Sequence, residues 1–565
     1  MKNRLVLFCL LVVSSLGFCA AQTRAESLDF NQWGLLAIQD GGRRKPVDTF
    51  AKETLLRLTG QTSYADQSKR AWSPNDFILS MLLETKDWKK EPLILVGYRP
   101  LVQELGLDAT RKRFSFEELA NAPQINVLAQ EARALRARNQ ELSRKLKEAE
   151  SVVSRLELFS HVADSSAFAI VPPPPASESS RWMPPGQTSE SYSEAQYKPV
   201  TDHLGALAQA CMTQDNYQFN LNAALLRGAL RQLNPQVYPS EWRLTLEYFY
   251  NHLRPFDWAA CLYALAFVAL WVVNALPSTK TLRSIGLLIA MAGVLFHAGG
   301  VALRCVIAER PPVTNMFESV VWVSLGTMIF AWAFFVRYRA LTYLLAALPA
   351  SLLCLLLLRQ IPAAMPENID PLVPVLRSNF WLTIHVLTIT LSYAAFLLAM
   401  AFGHIVLYRF IKNPSAATNQ ATLHFWLYRI LQLGVLLLAA GTILGGVWAN
   451  YSWGRFWGWD PKETWALIAL LCYIFVLHGR VAGWWDQFGL AVASVVCFCA
   501  VLMTWYGVNF VLGKGLHSYG FGIGGEKYVT LFVTLDIAYV IVACVRYNRD
   551  AVTASESAEE ALAES

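Results

Sequence analysis

The sequence predicts an all-α polytopic membrane protein of about nine transmembrane helices, preceded by a signal peptide and an exported, mostly helical domain. Three observations carry this expectation. Hydrophobic residues make up 54% of the 565-residue chain, more than one water-soluble core of this length uses. Several runs exceed the ~18 apolar residues that mark a membrane-spanning helix, with hardly a charge inside them. The N-terminus joins a basic start, Met1-Lys2-Asn3-Arg4, to an apolar run from Leu5 to Phe18 and the small residues Ala20 and Ala21, the pattern of a secretory signal or an uncleaved anchor.

In chain order, residues 1–25 are then a signal peptide or anchor, 26–255 an exported domain, 256–548 a transmembrane domain and 549–565 a cytoplasmic tail. In the exported part, Gly41 to Phe50 reads as a turn followed by a helix start, with Asp48 or Thr49 capping a helix from Ala51 to Leu58. Leu128, Leu135, Leu142, Leu146 and Leu156 recur at helical spacing among charges, which predicts one long amphipathic helix or short coiled coil over 126–158. The prolines from Pro172 to Pro185 predict a semi-rigid or disordered linker. No catalytic constellation stands out in this part, and a docking scaffold and a plain spacer both fit it.

From Trp258 onward, spans are expected at about 258–276, 284–305, 317–336, 341–359, 382–408, 427–449, 465–483, 487–511 and 527–546. If they alternate, Lys280, Arg283, Arg337, Arg339, Arg409, Lys412, Arg429, Arg546 and Arg549 all fall on one side. That side is the cytoplasmic face of a bacterial inner membrane, and the exported domain lies on the other. The same distribution argues against nucleic acid as a partner: the net charge is +6, but the cations flank apolar runs, and no nucleic-acid-binding motif occurs. Of ten cysteines only Cys211 lies in the exported domain, and there is no C-x-x-C or C-x-x-C-H. The chain therefore has neither a thioredoxin-type pair nor a covalent haem site of its own.

On this topology the stretch Trp453 to Trp465 joins the sixth and seventh spans at the outer face. Trp453, Gly454, Trp457 and Trp459 can wall a large planar ligand, and an interfacial aromatic belt is the plainer reading. His385 opens the fifth span at that face, and His517 lies in the outer loop between the eighth and ninth. His478 lies in the seventh span about 20 Å inward of Thr464, where an ionisable side chain is a functional candidate. His404, near the inner end of the fifth span, and His297, within the second, are further candidates there. His161, His203, His252 and His424 read as surface residues. Asp460 and Glu463 are expected to orient an indole N–H, pair with Arg455 or fix the turn at Pro461. Asn315 and Glu318, in Pro312-x-x-Asn315-x-x-Glu318, are expected to cap a helix.

The order W-G-x-x-W-x-W-D from Trp453 to Asp460, followed by P-K-E-T-W to Trp465, resembles the tryptophan-rich "WWD" signature of the haem-handling proteins of cytochrome c biogenesis. Its flanks look most like the CcsA/ResC subunit of the system II cytochrome c synthase, over roughly residues 284–545. The resemblance implies that His385 and His517 are the two external haem ligands. It implies that His478 binds haem inside the membrane, opposed by a ligand from a ResB/CcsB-like membrane subunit whose extra spans this chain lacks. The implied cofactor is haem b. The implied reaction is thioether attachment to an apocytochrome c carrying C-x-x-C-H, with a thiol-reducing system as a further partner and no protein nucleophile. Haem propionates would need cations, and Arg455, Lys462 and Arg377 are the candidates. A haem exporter or chaperone of the same superfamily, and a b-type electron-transfer membrane subunit, are the alternatives.

Overall fold

The computed structural model describes residues 28–563, apart from 139, 141, 189–190, 276–279, 363, 373–377, 413–420, 514 and 516–523. The expected signal or anchor therefore lies outside the described residues. The chain divides into two compact units: one ends at Leu253 and also takes in Asn368–Pro371, and the other begins at Arg254 and holds the rest of the described residues.

The first unit is helical, with three small antiparallel ladders among the described residues. β1 (Ala37–Asp40) pairs with β2 (Arg43–Pro46) across Gly41-Gly42, whose φ angles of 57° and 80° suit a tight turn closed by two glycines. Helix α1 (Val47–Thr59) runs directly off β2, so the expected cap at Asp48 or Thr49 is corrected. Both side chains lie inside the first turn and serve distant partners. Asp48 accepts from Asn75 (3.0 Å) and Asn251 (2.9 Å), and Thr49 donates to Glu247 (2.8 Å).

The longer helices that follow are α2 (Pro74–Leu82), α3 (Gln124–Ala137), α4 (Arg144–Ala163), α5 (Glu194–Thr213), α6 (Asn216–Leu233) and α7 (Glu241–Leu253). The single long helix expected over 126–158 is thus two. Ser143 accepts from the Leu146 N–H (3.3 Å) and starts α4 afresh, and Arg133 pairs with Glu157 (3.1 Å) across the resulting hairpin. The leucine spacing is real but serves a buried interface, with Leu128, Ala132, Leu146 and Val153 all in the core.

The Pro-rich linker is likewise corrected. Val171 and Met183 exchange backbone hydrogen bonds of 3.0 and 2.8 Å, the Pro172 carbonyl accepts from Tyr192 (2.7 Å), and the Pro173 carbonyl accepts from Asn234 (2.8 Å). Proline lacks an N–H but keeps its acceptor, and here buried side chains satisfy that acceptor.

Asp66 gives this unit a defined acid sensitivity. Burial opposes its charge, yet Lys86 (2.6 Å), Ser68 (2.6 Å), the Trp72 indole (2.9 Å) and the Arg70 N–H (2.9 Å) all donate to it and hold its carboxyl below the usual range. A carboxyl whose pKa is lower folded than unfolded adds stability above its unfolded value, about pH 4, and loses it as the pH falls further. Asp66→Asn is therefore expected to lower the melting temperature at pH 7 and to flatten its decline between about pH 4 and pH 2. A parallel decline in both proteins would refute this.

The second unit contains α8 (Pro255–Ala275), α9 (Lys280–Ala308), α10 (Met316–Tyr338), α11 (Thr342–Gln360), α12 (Leu387–Lys412), α13 (Ala421–Trp453), α14 (Pro461–Val481), α15 (Gln487–Val496), α16 (Phe498–Leu502) and α17 (Glu526–Ala563). Among the described residues nine helical segments are long and apolar enough to cross a membrane; all but the first match the expected runs to within about five residues, and the first, expected from Trp258, begins at Glu241. The fifth, around α12, is the most enclosed, with 67% of its most apolar window buried; the ninth has only 17%. The central helix thus carries His385 at its entry, and Phe396 further along it stacks on Tyr473 of α14 with ring centres 3.7 Å apart.

Two polar features brace this bundle. Arg304 of α9 and Glu318 of α10 are almost wholly buried and paired at 2.8 Å. Glu318 also accepts from the Thr314 N–H (2.8 Å) and hydroxyl (2.6 Å), and Arg304 donates to the Glu367 carbonyl (2.7 Å). Asn315 caps α10 as expected, its side chain accepting from the Glu318 N–H at 2.8 Å. His424, expected at the surface, is 2% exposed and belongs to the packed interior, because α13 begins well before the apolar run that marks it in sequence.

Candidate functional site

The loop between α13 and α14 is built from its own residues. α13 ends at Trp453, and Gly454, at φ 69°, donates its N–H to the Asn450 carbonyl (3.0 Å). Asp460 then caps α14. Its carboxylate accepts from the Lys462 N–H (3.0 Å), while Glu463 reaches back to the N–H groups of Asp460 (3.2 Å) and Gly458 (2.8 Å). This reciprocal box around Pro461 fixes the loop's exit. Trp459 sits at φ 57°, a conformation costing a non-glycine residue on the order of 1–3 kcal/mol, and its indole is 70% exposed. Trp457 meets it edge to face at 5.9 Å. Arg455 lies 3.6 Å from Glu463 and 5.8 Å from the centre of the Trp453 ring.

Below the loop, inside the bundle, lies a cavity of about 150 Å³ bordered by His385, Trp448, Phe456, Trp457, Lys462 and Asn509, with Asn315 and Trp505 also on its wall. Two π-helical segments contribute to that wall: Leu382–Val386, which holds His385, and Met503–Leu512, which holds Trp505 and Asn509. Such widened turns are rare, and in proteins they concentrate at functional sites. His385 Nδ1 lies 2.8 Å from the Gly441 carbonyl, and its ring meets Trp448 edge to face at 5.6 Å. A carbonyl can only accept, so the neutral ring carries its proton on Nδ1 and its lone pair on Nε2. Lys462 Nζ is 3.5 Å from the Asn509 side-chain oxygen, and the Trp505 indole donates to Ser319 (2.9 Å).

The expected site residues therefore divide. His385, Trp457, Lys462, Glu463 and Asn315 border one cavity, and Asp460 caps the helix on which Lys462 and Glu463 stand. Trp453 and Trp459 are in the loop above it. His517 and Arg377 lie outside the described residues, although Gly515, two positions before His517, packs so closely on Asp460 that a Cβ there would stand 2.3 Å from its carboxylate. His478 is exposed on α14, its Nδ1 2.9 Å from the Ile474 carbonyl, beside the exposed Leu471 and Phe475. His404 lies between Asp536 of α17 (3.1 Å) and the Met400 carbonyl (2.9 Å). His297 is fully buried with both ring nitrogens engaged, one by Tyr263 (3.1 Å) and one by the Val321 carbonyl (3.0 Å). Sequence reasoning overlooked Gly441, Gly445, Trp505 and Asn509. The spacing Gly441-x-x-x-Gly445 in an apolar helix was the available signal for the first two.

The residues present suit a metallated macrocycle: an imidazole with its lone pair on Nε2, indole and phenyl walls, and a half-buried ammonium for a carboxylate. Comparison with known proteins points the same way. A family model described as "Cytochrome C assembly protein" matches residues 313–517. The chain is 33% identical over 290 residues to "Cytochrome c biogenesis protein CcsA" of Prochlorococcus marinus (strain NATL2A), covering 45% of this chain and 89% of that protein. It is 32% identical over 286 residues to the protein of the same description from Synechococcus sp. (strain CC9605), covering 45% and 91%. It is 31% identical over 500 residues to "Protein NrfI" of Wolinella succinogenes, which takes in 85% of this chain but only 53%, about half, of that relative's length.

Proposed function

Since this chain belongs to the CcsA/ResC-type family of membrane proteins of cytochrome c biogenesis, we propose that it takes haem b from the inner side of the bacterial inner membrane and presents it at the cavity beneath the Trp loop for thioether attachment to C-x-x-C-H apocytochromes. The single observation that carries this reading is the cavity itself, where His385 with its lone pair on Nε2, the Trp457 and Trp448 walls and Lys462 meet. In this reading His385 and His517 are the external axial ligands, and Lys462 takes a propionate. Arg455, engaged by Glu463 and stacked near Trp453, serves the loop instead.

The chemistry needs position rather than a protein nucleophile. A cysteine S–H adds across the vinyl C=C; the sulfur bonds one carbon, the proton ends on the other, and nothing is oxidised. The chain's part is to hold the ring, exclude water on the bundle side and yield one imidazole to the histidine of the incoming segment. His478, exposed on α14 among apolar side chains, fits an intramembrane ligand whose opposite number comes from a ResB/CcsB-like subunit, and a thiol-reducing system keeps the substrate cysteines able to react. The N-terminal unit then lies on the outer side with the Trp loop, and the C-terminal end inside.

Co-expression with a ResB/CcsB-like subunit and a C-x-x-C-H apocytochrome tests this. A haem-staining apocytochrome band that survives denaturing electrophoresis is expected. Haem copurifying with the membrane protein while the apocytochrome stays unmodified would mean export without attachment.

A further inference from the structure

The tightest feature of the cavity is the seat of His385, and it is made by glycines. α13 presents Gly441 and Gly445 on the face turned to the entry of α12. A Cβ at Gly441 would stand 2.8 Å from the Ile389 Cα, and one at Gly445 would stand 2.6 Å from Cε1 of the His385 ring. Neither distance is open to a real side chain, so any larger residue must move the backbone or turn the imidazole. The absent side chains bring the Gly441 carbonyl to 2.8 Å from His385 Nδ1. Trp448, about one turn further along the same helix, meets the ring edge to face at 5.6 Å. The π-helical turn Leu382–Val386 completes the fit by widening the helix where the imidazole leaves it.

We infer that Gly441 and Gly445 of α13 form a socket that positions His385: the notch sets the plane of the imidazole, and the Gly441 carbonyl keeps the proton on Nδ1 so that Nε2 faces the metal. The inference rests on His385 being an axial ligand and adds what orients it. A hydrogen bond to the distal nitrogen of a ligating imidazole fixes its tautomer and raises its basicity, and losing such support typically costs about 10- to 100-fold in metal affinity. These glycines are therefore positioning residues. Their effect on the ligand runs through the imidazole they seat.

Gly445→Ala is the test, with Gly299→Ala, where a Cβ meets nothing within 4 Å, as the control. Each protein is purified in complex with its partner subunit and loaded with ferric haem. In Gly445→Ala the expected results are about 10-fold weaker haem retention, a changed g anisotropy of the low-spin ferric EPR signal and a higher midpoint potential. Gly299→Ala should match the parent in all three. His385→Gly, measured alongside, separates the two ideas. If it loses the low-spin signal while Gly445→Ala keeps the parent's EPR and potential, the socket is refuted and the ligand assignment stands. If His385→Gly itself leaves the spectrum unchanged, the ligand assignment falls and the socket with it.

Discussion

Glu318→Leu is expected to destabilise the membrane unit by about 3–5 kcal/mol, because it strands the Arg304 guanidinium in a site where both partners are almost wholly buried. Two further bonds go with it, those from the Thr314 N–H and hydroxyl, so the segment that delivers Asn315 to the cavity wall loses its clamp. The visible outcome is a large drop in detergent-extractable folded protein and in apparent melting temperature. The pair itself is tested by Arg304→Met combined with Glu318→Leu. Removing both charges leaves no uncompensated ion, and most of the lost stability should return. If the double variant is as unstable as the sum of the two single ones, the coupling read from the 2.8 Å contact is wrong.

His385→Ala is expected to have the opposite profile, with folded protein at near-parental yield but haem retention reduced by about 10-fold or more. The side chain is only partly buried, and its removal leaves a gap at the cavity instead of an unpaired charge. Exogenous imidazole should enter that gap and restore the low-spin spectrum. His297→Ala makes the contrast. That ring is fully buried and bonded at both nitrogens, so its loss should lower stability and leave the spectrum of bound haem as it was. Parental haem content and spectrum in His385→Ala would remove this residue from the ligand set.

Features that depend on runs of apolar residues were legible in the sequence. The nine spans were, since hydrocarbon thickness imposes a length that composition reveals directly. So was the Asn315 cap, which acts over three residues; the Asp460 cap was not, its carboxylate being expected to orient an indole, pair with Arg455 or fix the turn at Pro461. Features that depend on a partner far along the chain were not. Proline at 172 and 173 argues locally for a linker, but the side chains that hold those carbonyls come from Tyr192 and Asn234. Glu318 reads as a capping residue until α9 brings Arg304 against it from across a loop. Leu128 and Leu146 fit one continuous stripe equally as well as two antiparallel ones, and only Ser143 marks the restart. Around the cavity, the stretch Trp453 to Asp460 and His385 were both singled out as candidates, but Gly441, 56 positions from His385, gave no sign of being its hydrogen-bond partner.

The two widened turns beside the cavity have a consequence for insertions and deletions. In each, a backbone N–H reaches a carbonyl five residues back, from Leu387 to Leu382 and from Gly513 to Val508, so each holds one residue more than an ordinary helical turn. Deleting a single residue in either segment would let it relax to α-helix with its flanks nearly in phase, since about five residues of π-helix turn through the same angle as about four of α-helix, but it would shift the side chains carried inside the widened turn. His385, or Trp505 with Asn509, would then swing out of the wall while hydropathy and helix content stayed the same. The surplus residue is what keeps these side chains in phase with the cavity, so in these two short segments length should tolerate change less than residue type does.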